Sequence, residues 1–405
     1  MASIRKRQWR NADGQVTTAW SVTFVDRHGK RERKQFQTKK EADAFRVEIE
    51  GQIHSGAYRS GARNTRLQIT CEQYLAYCEE RMERGERMTR HNLAVYEGHI
   101  WNYICRDPER HEGRGANPRL VAFTDGIGDL SLGDLTTGTV IEFRDNLRAA
   151  GVSVTTTRRI ITTLHGVLQF AIERDLIAFN PARGIKVIGR RDEASRKIVP
   201  PPKETLKALI EVADKDIRVK LAFASATGVR AGELNALRWR HVDFTKGEVT
   251  IETRVDAYGD EDVTKTTAGM RTIPLGRTVV QLLMEWKLRT KFSQKGDLVF
   301  PNRKGNFTCH DNFVKRQWYP LFEKIEEAGL SDEASPTVRF NWHSLRHFAI
   351  STWIEADLPP KTVQTFAGHS SLQVTMDRYG HLFKSDENAK VMDAIAGDLF
   401  APVAE

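Results

Sequence analysis

The sequence predicts a multidomain protein, mainly α-helical with small β-sheets. Three observations predict it. At 405 residues the chain is too long for one ordinary core, so two or three domains are expected. The apolar pattern alternates in the first forty residues and becomes helical beyond residue 67. Two stretches, 59–66 and 188–201, break the pattern with charged, Gly and Pro residues and read as linkers. A hydrophobic fraction of 40% and a charged fraction of 28% belong to a folded chain rather than a disordered one.

Residues 1–58 read as a three-stranded sheet plus a helix. Trp20, Val22 and Phe24 alternate with Ser21 and Thr23, the period of a half-buried strand. Asp13-Gly14 and Asp26-Arg27-His28-Gly29 place turns on either side, with flanking strands at Ile4–Trp9 and Arg31–Phe36. Thr38-Lys39-Lys40-Glu41 is a capping box that starts a helix bearing Ala42, Phe45 and Ile49 on one face. So small a unit makes a marginal core, which ligand binding can help to order.

From 67 to 187 the pattern is helical: Leu67–Arg84, Thr89–Cys105, Thr136–Ala150 and Val154–Leu176, with Gly151 as the break between the last two. The stretch 106–130 carries Gly and Pro residues and reads as a loop insertion, and Asn180-Pro181 ends the unit. Residues 200–385 form the largest unit. Helices are expected at 203–213, 216–227, 231–238, 276–291, 310–328, 343–356 and 359–367. Glu248–Val255 and Met270–Leu275 alternate like strands of a small antiparallel sheet. The tail 386–405 has Val391, Ile395 and Leu399 at helical spacing.

Charge points to a polyanionic partner. The formal net charge is +9, and residues 1–40 hold eleven Lys and Arg against three acids. Arg5, Lys6, Arg7, Arg10, Arg31, Arg33 and Lys34 lie on the predicted strands, and such a sheet can enter a DNA major groove. Arg158 and Arg159 near the start of a helix fit either phosphate contact or an ordinary solvated face. Cys71, Cys78, Cys105 and Cys309 show neither metal spacing nor a disulfide framework, so buried or inert thiols in a reducing compartment are expected, with no metal. The first thirty residues lack an apolar signal segment, and no stretch approaches a membrane span, so a location inside the cell is expected.

The chemistry sits near the C-terminus. His343, Arg346, His369 and Tyr379 follow one another within forty residues of a basic chain. A tyrosine hydroxyl can attack a phosphodiester and hold the bond energy in a covalent link. Arginine suits the phosphate because its planar fork donates two parallel hydrogen bonds and keeps its proton. Preorganised cations in a water-poor site stabilise developing charge more than they would in bulk solvent. This reads as an enzyme that cuts and rejoins DNA.

Five segments then resemble the boxes of the tyrosine recombinase, or phage integrase, family. They are Ala226-Thr227-Gly228-Val229-Arg230-Ala231-Gly232-Glu233-Leu234, Thr264-Lys265-Thr266 before Arg271-Thr272-Ile273-Pro274-Leu275, His343-Ser344-Leu345-Arg346-His347, Ala367-Gly368-His369-Ser370, and Thr375-Met376-Asp377-Arg378-Tyr379. Ala367 stands where the family usually has leucine. The resemblance is lambda-integrase-like. It implies an arm-type DNA-binding domain at 1–58, a helical core-binding (SAM-like) domain at 67–187, an α+β catalytic domain at 200–385, and a tail at 386–405 that packs on its own or a neighbouring subunit.

The resemblance also implies roles. Tyr379 would be the nucleophile, becoming 3′-phosphotyrosyl, and Arg230 with Arg346 would clamp the non-bridging oxygens. Lys265 would be the acid for the departing 5′ oxygen, with Lys246 as a rival. His343 would orient or deprotonate Tyr379, and His369 would donate to a phosphate oxygen. Glu233 would orient a catalytic side chain or merely pair at the surface, and His347 and His381 would be structural neighbours. The implied activity is site-specific recombination through a Holliday junction, integrating and excising a phage or mobile element. It would use no cofactor, neither ATP nor a catalytic metal. The implied partners are double-stranded DNA at core and arm sites, a homo-tetramer on DNA, an excisionase and DNA-bending accessory proteins, with no membrane, in the cytoplasm of a bacterial host at its nucleoid. Two other readings stand beside it: DNA relaxation of the type IB topoisomerase kind, and a non-catalytic DNA-binding regulator.

Overall fold

The computed structural model divides into two compact units, Met1–Ala194 and Ser195–Glu405. It describes residues 2–10, 15–26, 29–54, 58–59, 62, 64–106, 123–189, 193, 198–263, 269–330, 338–383 and 392.

In the first unit, strands β1 (Ser3–Arg10), β2 (Val16–Val25) and β3 (Arg31–Phe36) form an antiparallel sheet in the order β1-β2-β3. Val22 and Phe24 of β2 are buried with Ala42, Phe45 and Ile49 of helix α1 (Lys39–His54). The expected capping box forms: the Glu41 N–H donates to the Thr38 hydroxyl at 3.2 Å, and the Thr38 N–H donates to the Glu41 carboxylate at 3.4 Å. The expected turn residues Asp13-Gly14 and Arg27-His28 lie outside the described residues.

Strand alternation sorts the basic residues between the two faces. Ile4, Trp20 and Phe36 pack toward α1, so Lys6, Arg10 and Lys34 share that face. Lys6 Nζ lies 5.9 Å over Trp20, and Lys34 Nζ lies 5.0 Å over Phe45. Arg5, Arg7, Arg31 and Arg33 take the opposite face, where Arg5 pairs with Ser21 and Ser21 with Gln35.

Helices α2 (Leu67–Glu83), α3 (Arg90–His99), α4 (Thr137–Ala149) and α5 (Val154–Glu173) build a second apolar core in this unit. The side chains of Thr89, Thr136 and Ser153 each accept the N–H three residues on, a cap worth about 1 kcal/mol. Gly151 has φ +82°, which lets the chain reverse between α4 and α5.

Three expectations need adjustment here. The helix expected over 89–105 changes at Ile100 into a wider π turn, Ile100–Ile104, which brings Ile100, Trp101 and Ile104 into the core together. The expected loop insertion is only partly one: 107–122 lie outside the described residues, but Phe123 and Ile127 are buried in the core. The described part of the expected linker 59–66 is docked. Arg59 pairs with Asp175 at 2.6 Å, Ala62 is buried, and Arg66 bridges Ser131.

The second unit begins with helices α6 (Lys203–Val212), α7 (Lys215–Thr227) and α8 (Ala231–Ala236). Strands β4 (Val242–Asp243), β5 (Glu248–Ile251) and β8 (Arg271–Pro274) form one sheet in the order β4-β5-β8. Strands β6 (Thr253–Val255) and β7 (Glu261–Val263) form a separate hairpin. The single strand expected at 248–255 is therefore broken at Glu252. Its second half leaves β8 and runs against α8, so close that a Cβ on Gly232 would lie 2.5 Å from the Val255 carbonyl oxygen.

Helix α9 (Arg277–Arg289) follows, then α10 (His310–Phe313), which passes through a π turn at Val314–Trp318 into α11 (Tyr319–Glu327). Helices α12 (Ser344–Glu355), α13 (Pro360–Ala367) and α14 (Leu372–Tyr379) complete the described fold. The sequence pattern did not suggest α14: it buries only Thr375 and Tyr379, so it shows no apolar period. The tail 386–405 lies outside the described residues except for Met392, and so do 190–192 and 194–197 of the second linker.

Trp318 is fully buried at the centre of this core. Its ring meets Phe322 and Trp342 edge-on at 5.1 Å, and Phe313 meets Trp342 at 4.9 Å. Lys220 Nζ caps the Phe313 ring at 4.1 Å. This aromatic cluster fixes Trp342 and therefore the start of α12, where His343 stands. Cys71 and Cys78 are buried as expected, whereas Cys309 is exposed. Among the described residues no helix is long and apolar enough to cross a membrane.

Candidate active site

Two left-handed glycines frame the site. Gly228 (φ +59°) ends α7, and Gly368 (φ +63°) ends α13. Arg346, in the first turns of α12, reaches between the two turns: its Nη1 donates to the Gly228 carbonyl at 2.7 Å and its Nη2 to the Ala367 carbonyl. Arg230 stands at the N-cap of α8. Its Nη1 donates to Glu233 at 2.8 Å and its Nη2 to the Gly368 carbonyl at 3.0 Å. The salt bridge to Glu233 is thus real, and it leaves the Arg230 side chain 43% exposed.

Arg230, His343, Arg346 and His369 line one cavity of about 570 Å³, joined by Arg254 and Arg378. Glu233 is the carboxylate in that lining. Burial first, and Arg230 second, push the Arg346 guanidinium down to about 9. Arg346 still carries its charge at neutral pH, held out of water beside another cation. An anion entering the cavity would relieve both penalties.

His369 is buried. Its Nδ1 lies 2.9 Å from the Thr375 hydroxyl, and its ring stacks on Tyr379 at 6.2 Å and 19°. Tyr379 ends α14, is 1% exposed, and packs among Ile350, Ile354 and Val363. Its hydroxyl lies 2.6 Å from Nδ1 of His347, and the His347 ring meets His343 edge-on at 5.0 Å. The sequence assigned the tyrosine hydroxyl to His343. The structure puts His347 on that hydroxyl and His343 one ring further, facing the cavity, because His347 lies one helical turn deeper on α12. Tyr379 itself is not among the residues lining the cavity. Burial pushes its phenol up, while Arg346 and Arg378 pull it down.

The remaining expected residues are placed as follows. Lys265 lies outside the described residues; its rival Lys246 sits in the β4–β5 turn, with its backbone N–H on Asp243, and does not line the cavity. Arg158 donates through Nε and Nη2 to the Val187 carbonyl, at 3.1 and 2.9 Å, so its fork is engaged within its own unit. Arg159 is exposed. His381 approaches the Ile198 carbonyl at 3.2 Å. Arg254, Arg271, His347 and Arg378 received no chemical role from the sequence. The last three stand inside quoted motifs, so their positions were visible but their contacts were not.

Partly desolvated histidines make stability pH-dependent: His369 is buried and His99 half-buried, whereas His343 is exposed at the cavity and contributes less. Burial, with nearby cations, holds His343 at about 4, His369 at about 3 and His99 at about 4, against an ordinary value of 6.5. Each is neutral when folded and takes a proton on unfolding below 6.5. Their contribution is therefore full above the ordinary value and is lost as pH falls toward the folded values. We expect the melting temperature to drop between pH 6.5 and 4, and His99→Gln to flatten that slope. Thermal melts across this range check it; an unchanged slope in His99→Gln would refute the His99 part.

This arrangement defines a class: a cavity of arginines and histidines, backed by a tyrosine, that can hold a phosphodiester and accept a covalent bond to it. Residues 202–386 match the phage integrase family. The chain is 26% identical over 395 residues to a tyrosine recombinase XerC-like protein of Caldanaerobacter subterraneus subsp. tengcongensis, covering 90% of this chain and 92% of that one. It is 22% identical to the ICEBs1 integrase of Bacillus subtilis, covering 96% and 99% of the two chains. In fold it resembles the Tn1549 transposon integrase solved with circular intermediate DNA, with a TM-score of 0.56 at 18% identity over 75% of this chain and 98% of that one. It also resembles lambda integrase, solved as a tetramer on a Holliday junction, with a TM-score of 0.53 at 15% identity over 93% and 94%. Residues 202–386 belong to the phage integrase family, and over nearly its whole length the chain is similar to tyrosine recombinases and integrases.

Proposed function

We propose that this chain is a site-specific DNA recombinase that integrates and excises a mobile element or phage through a 3′-phosphotyrosine intermediate. The observation that carries the reading is the convergence of Arg230, His343, Arg346 and His369 on one cavity, with Tyr379 stacked against His369. The scissile phosphate enters this cavity. Arg230 and Arg346 hold its non-bridging oxygens through their forks, and His369 donates to one of them. Tyr379 turns from His347 toward phosphorus and attacks as its proton leaves. The bond from phosphorus to the 5′ oxygen breaks, and that oxygen takes a proton from Lys265. A 5′ hydroxyl from the partner duplex then reverses the step, and two such rounds pass through a Holliday junction. The working unit is a homo-tetramer on core sites, aided by an excisionase and DNA-bending proteins.

A suicide duplex, in which the freed 5′ end diffuses away, tests the chemistry. The protein should accumulate as a covalent adduct on the 3′ side of the break. Two marked duplexes test the exchange. Relaxation of supercoils without exchange would favour a topoisomerase, and duplex binding without adduct would favour a regulator.

The N-terminal sheet reads arm sites through the face bearing Arg5, Arg7, Arg31 and Arg33. Each phosphate contact contributes about −0.9 to the slope of log affinity against log salt. Replacing these four by Gln should make that slope shallower by about 3.6, whereas Lys6→Gln with Lys34→Gln should leave it nearly unchanged. Fluorescence anisotropy on arm duplexes over a salt series reads the slope. Equal effects from both sets would reject this choice of face.

A further inference from the structure

Arg271, at the start of β8, has a side chain only 1% exposed. Its Nη2 and Nη1 donate to the two oxygens of Glu233 at 2.8 and 3.2 Å. Its Nε donates to the Phe366 carbonyl at 2.7 Å, and Nη1 also reaches the Gly269 carbonyl at 3.0 Å. Gly368 lies against the same guanidinium: a Cβ there would meet Nη1 at 3.0 Å. Glu233 in turn accepts the Arg230 backbone N–H and its Nη1, both at 2.8 Å. One buried carboxylate is thus shared between two guanidiniums, one sealed in the core and one open to the cavity.

We infer that Arg271 is a positioning residue for DNA cleavage, fixing through Glu233 and the Phe366–Gly368 turn where Arg230 presents its fork. The inference rests on the recombinase reading. The physical reason is competition for the carboxylate. While Arg271 occupies both oxygens of Glu233, Arg230 keeps only one side-chain bond to it and has donors left for phosphate. Without Arg271, a buried carboxylate faces Arg230 alone and draws its fork in, away from the cavity. Lysine cannot substitute, since a point charge cannot span Glu233, Phe366 and Gly269 at once. The same guanidinium ties the turn that leads to His369 to the strand that follows the Lys265 segment, so these parts share one frame.

The test compares Arg271→Met, Arg271→Lys and the pair Arg271→Met/Glu233→Gln in the full chain. At saturating suicide duplex, both single variants should form adduct about 100-fold more slowly, the scale of a misplaced catalytic group, while affinity for the core duplex stays nearly unchanged. Adding Glu233→Gln should recover part of the rate, because a neutral amide no longer captures Arg230; it also removes the buried charge left with Arg230 alone, so any loss of fold in Arg271→Met should be smaller in this pair. The Arg230→Ala/Arg271→Met double should be no slower than Arg230→Ala alone. The ¹⁵N-arginine spectrum should show the Arg230 Nε–H resonance displaced in Arg271→Met. Multiplicative rate losses, or an unmoved Arg230 resonance, would overturn the inference. A displaced resonance with no adduct from the unmutated protein would support the link to Arg230 and instead sink the recombinase reading.

Discussion

Tyr379→Phe should abolish the covalent DNA adduct, lowering it by at least about 10,000-fold, the scale seen when a nucleophile is removed. The change deletes one oxygen and nothing else. In the free protein that oxygen shares a hydrogen bond with Nδ1 of His347, 2.6 Å away. The ring packs among Ile350, Ile354 and Val363 and stacks on His369, contacts that phenylalanine keeps. Folding and binding to the core duplex should therefore be retained. Denaturing gels of the suicide reaction, beside a mobility shift on the same duplex, read both quantities. Adduct of undiminished yield from the variant would mean that another residue attacks the phosphate, and the role given to Tyr379 would be wrong.

The His347 contact sharpens this expectation. The phenol is raised by burial, and an imidazole held neutral by burial and then by Arg346 and Arg378 can accept its hydrogen bond. The attacking oxygen is thus parked on a base, one ring behind the cavity, rather than free in solvent. Reaching phosphorus requires Tyr379 to leave this seat, so DNA binding must supply contacts that the free subunit lacks.

Much of this was legible in the sequence, for reasons that differ by region. Alternation at Trp20, Val22 and Phe24 and the box at Thr38–Glu41 define the first sheet and helix, because both signals are local. The long helices are visible through period and caps. Helix α14 was not, since its burial depends on α12 and α13 rather than on its own eight residues. The break at Glu252 was also hidden: it follows from the close approach of β6 to α8, where Val255 meets Gly232 from 23 residues away. At the site, motif order gave Arg230, His343, Arg346, His369 and Tyr379. It could not give Arg271 or His347 a task, because a side chain's partner across 38 or 32 residues is a property of packing. The same limit applies to the basic strands, where only the register separates Arg5 and Arg33 from Lys6 and Lys34.

Arg346→Lys should slow adduct formation by about 1,000-fold at saturating DNA, the upper range for losing one preorganised donor to developing charge. Lysine keeps a positive charge but replaces a fixed fork by a point. Arg346 is 3% exposed and is oriented by the Gly228 and Ala367 carbonyls. An ammonium on a shorter, flexible stem cannot serve both carbonyls and a phosphate oxygen, and a carbonyl left unpaired costs about 1–3 kcal/mol. Some loss of melting temperature should therefore accompany the kinetic effect, and the two must be separated. A duplex with a methylphosphonate at the scissile position does so. Its phosphorus centre carries no net charge, so the arginine clamp has less to stabilise, and the gap between Arg346→Lys and the unmutated protein should shrink on this substrate. Were the defect only a loosened fold, the gap would be the same on both substrates, and Arg346 would be a brace for the two glycine turns rather than a partner of the phosphate.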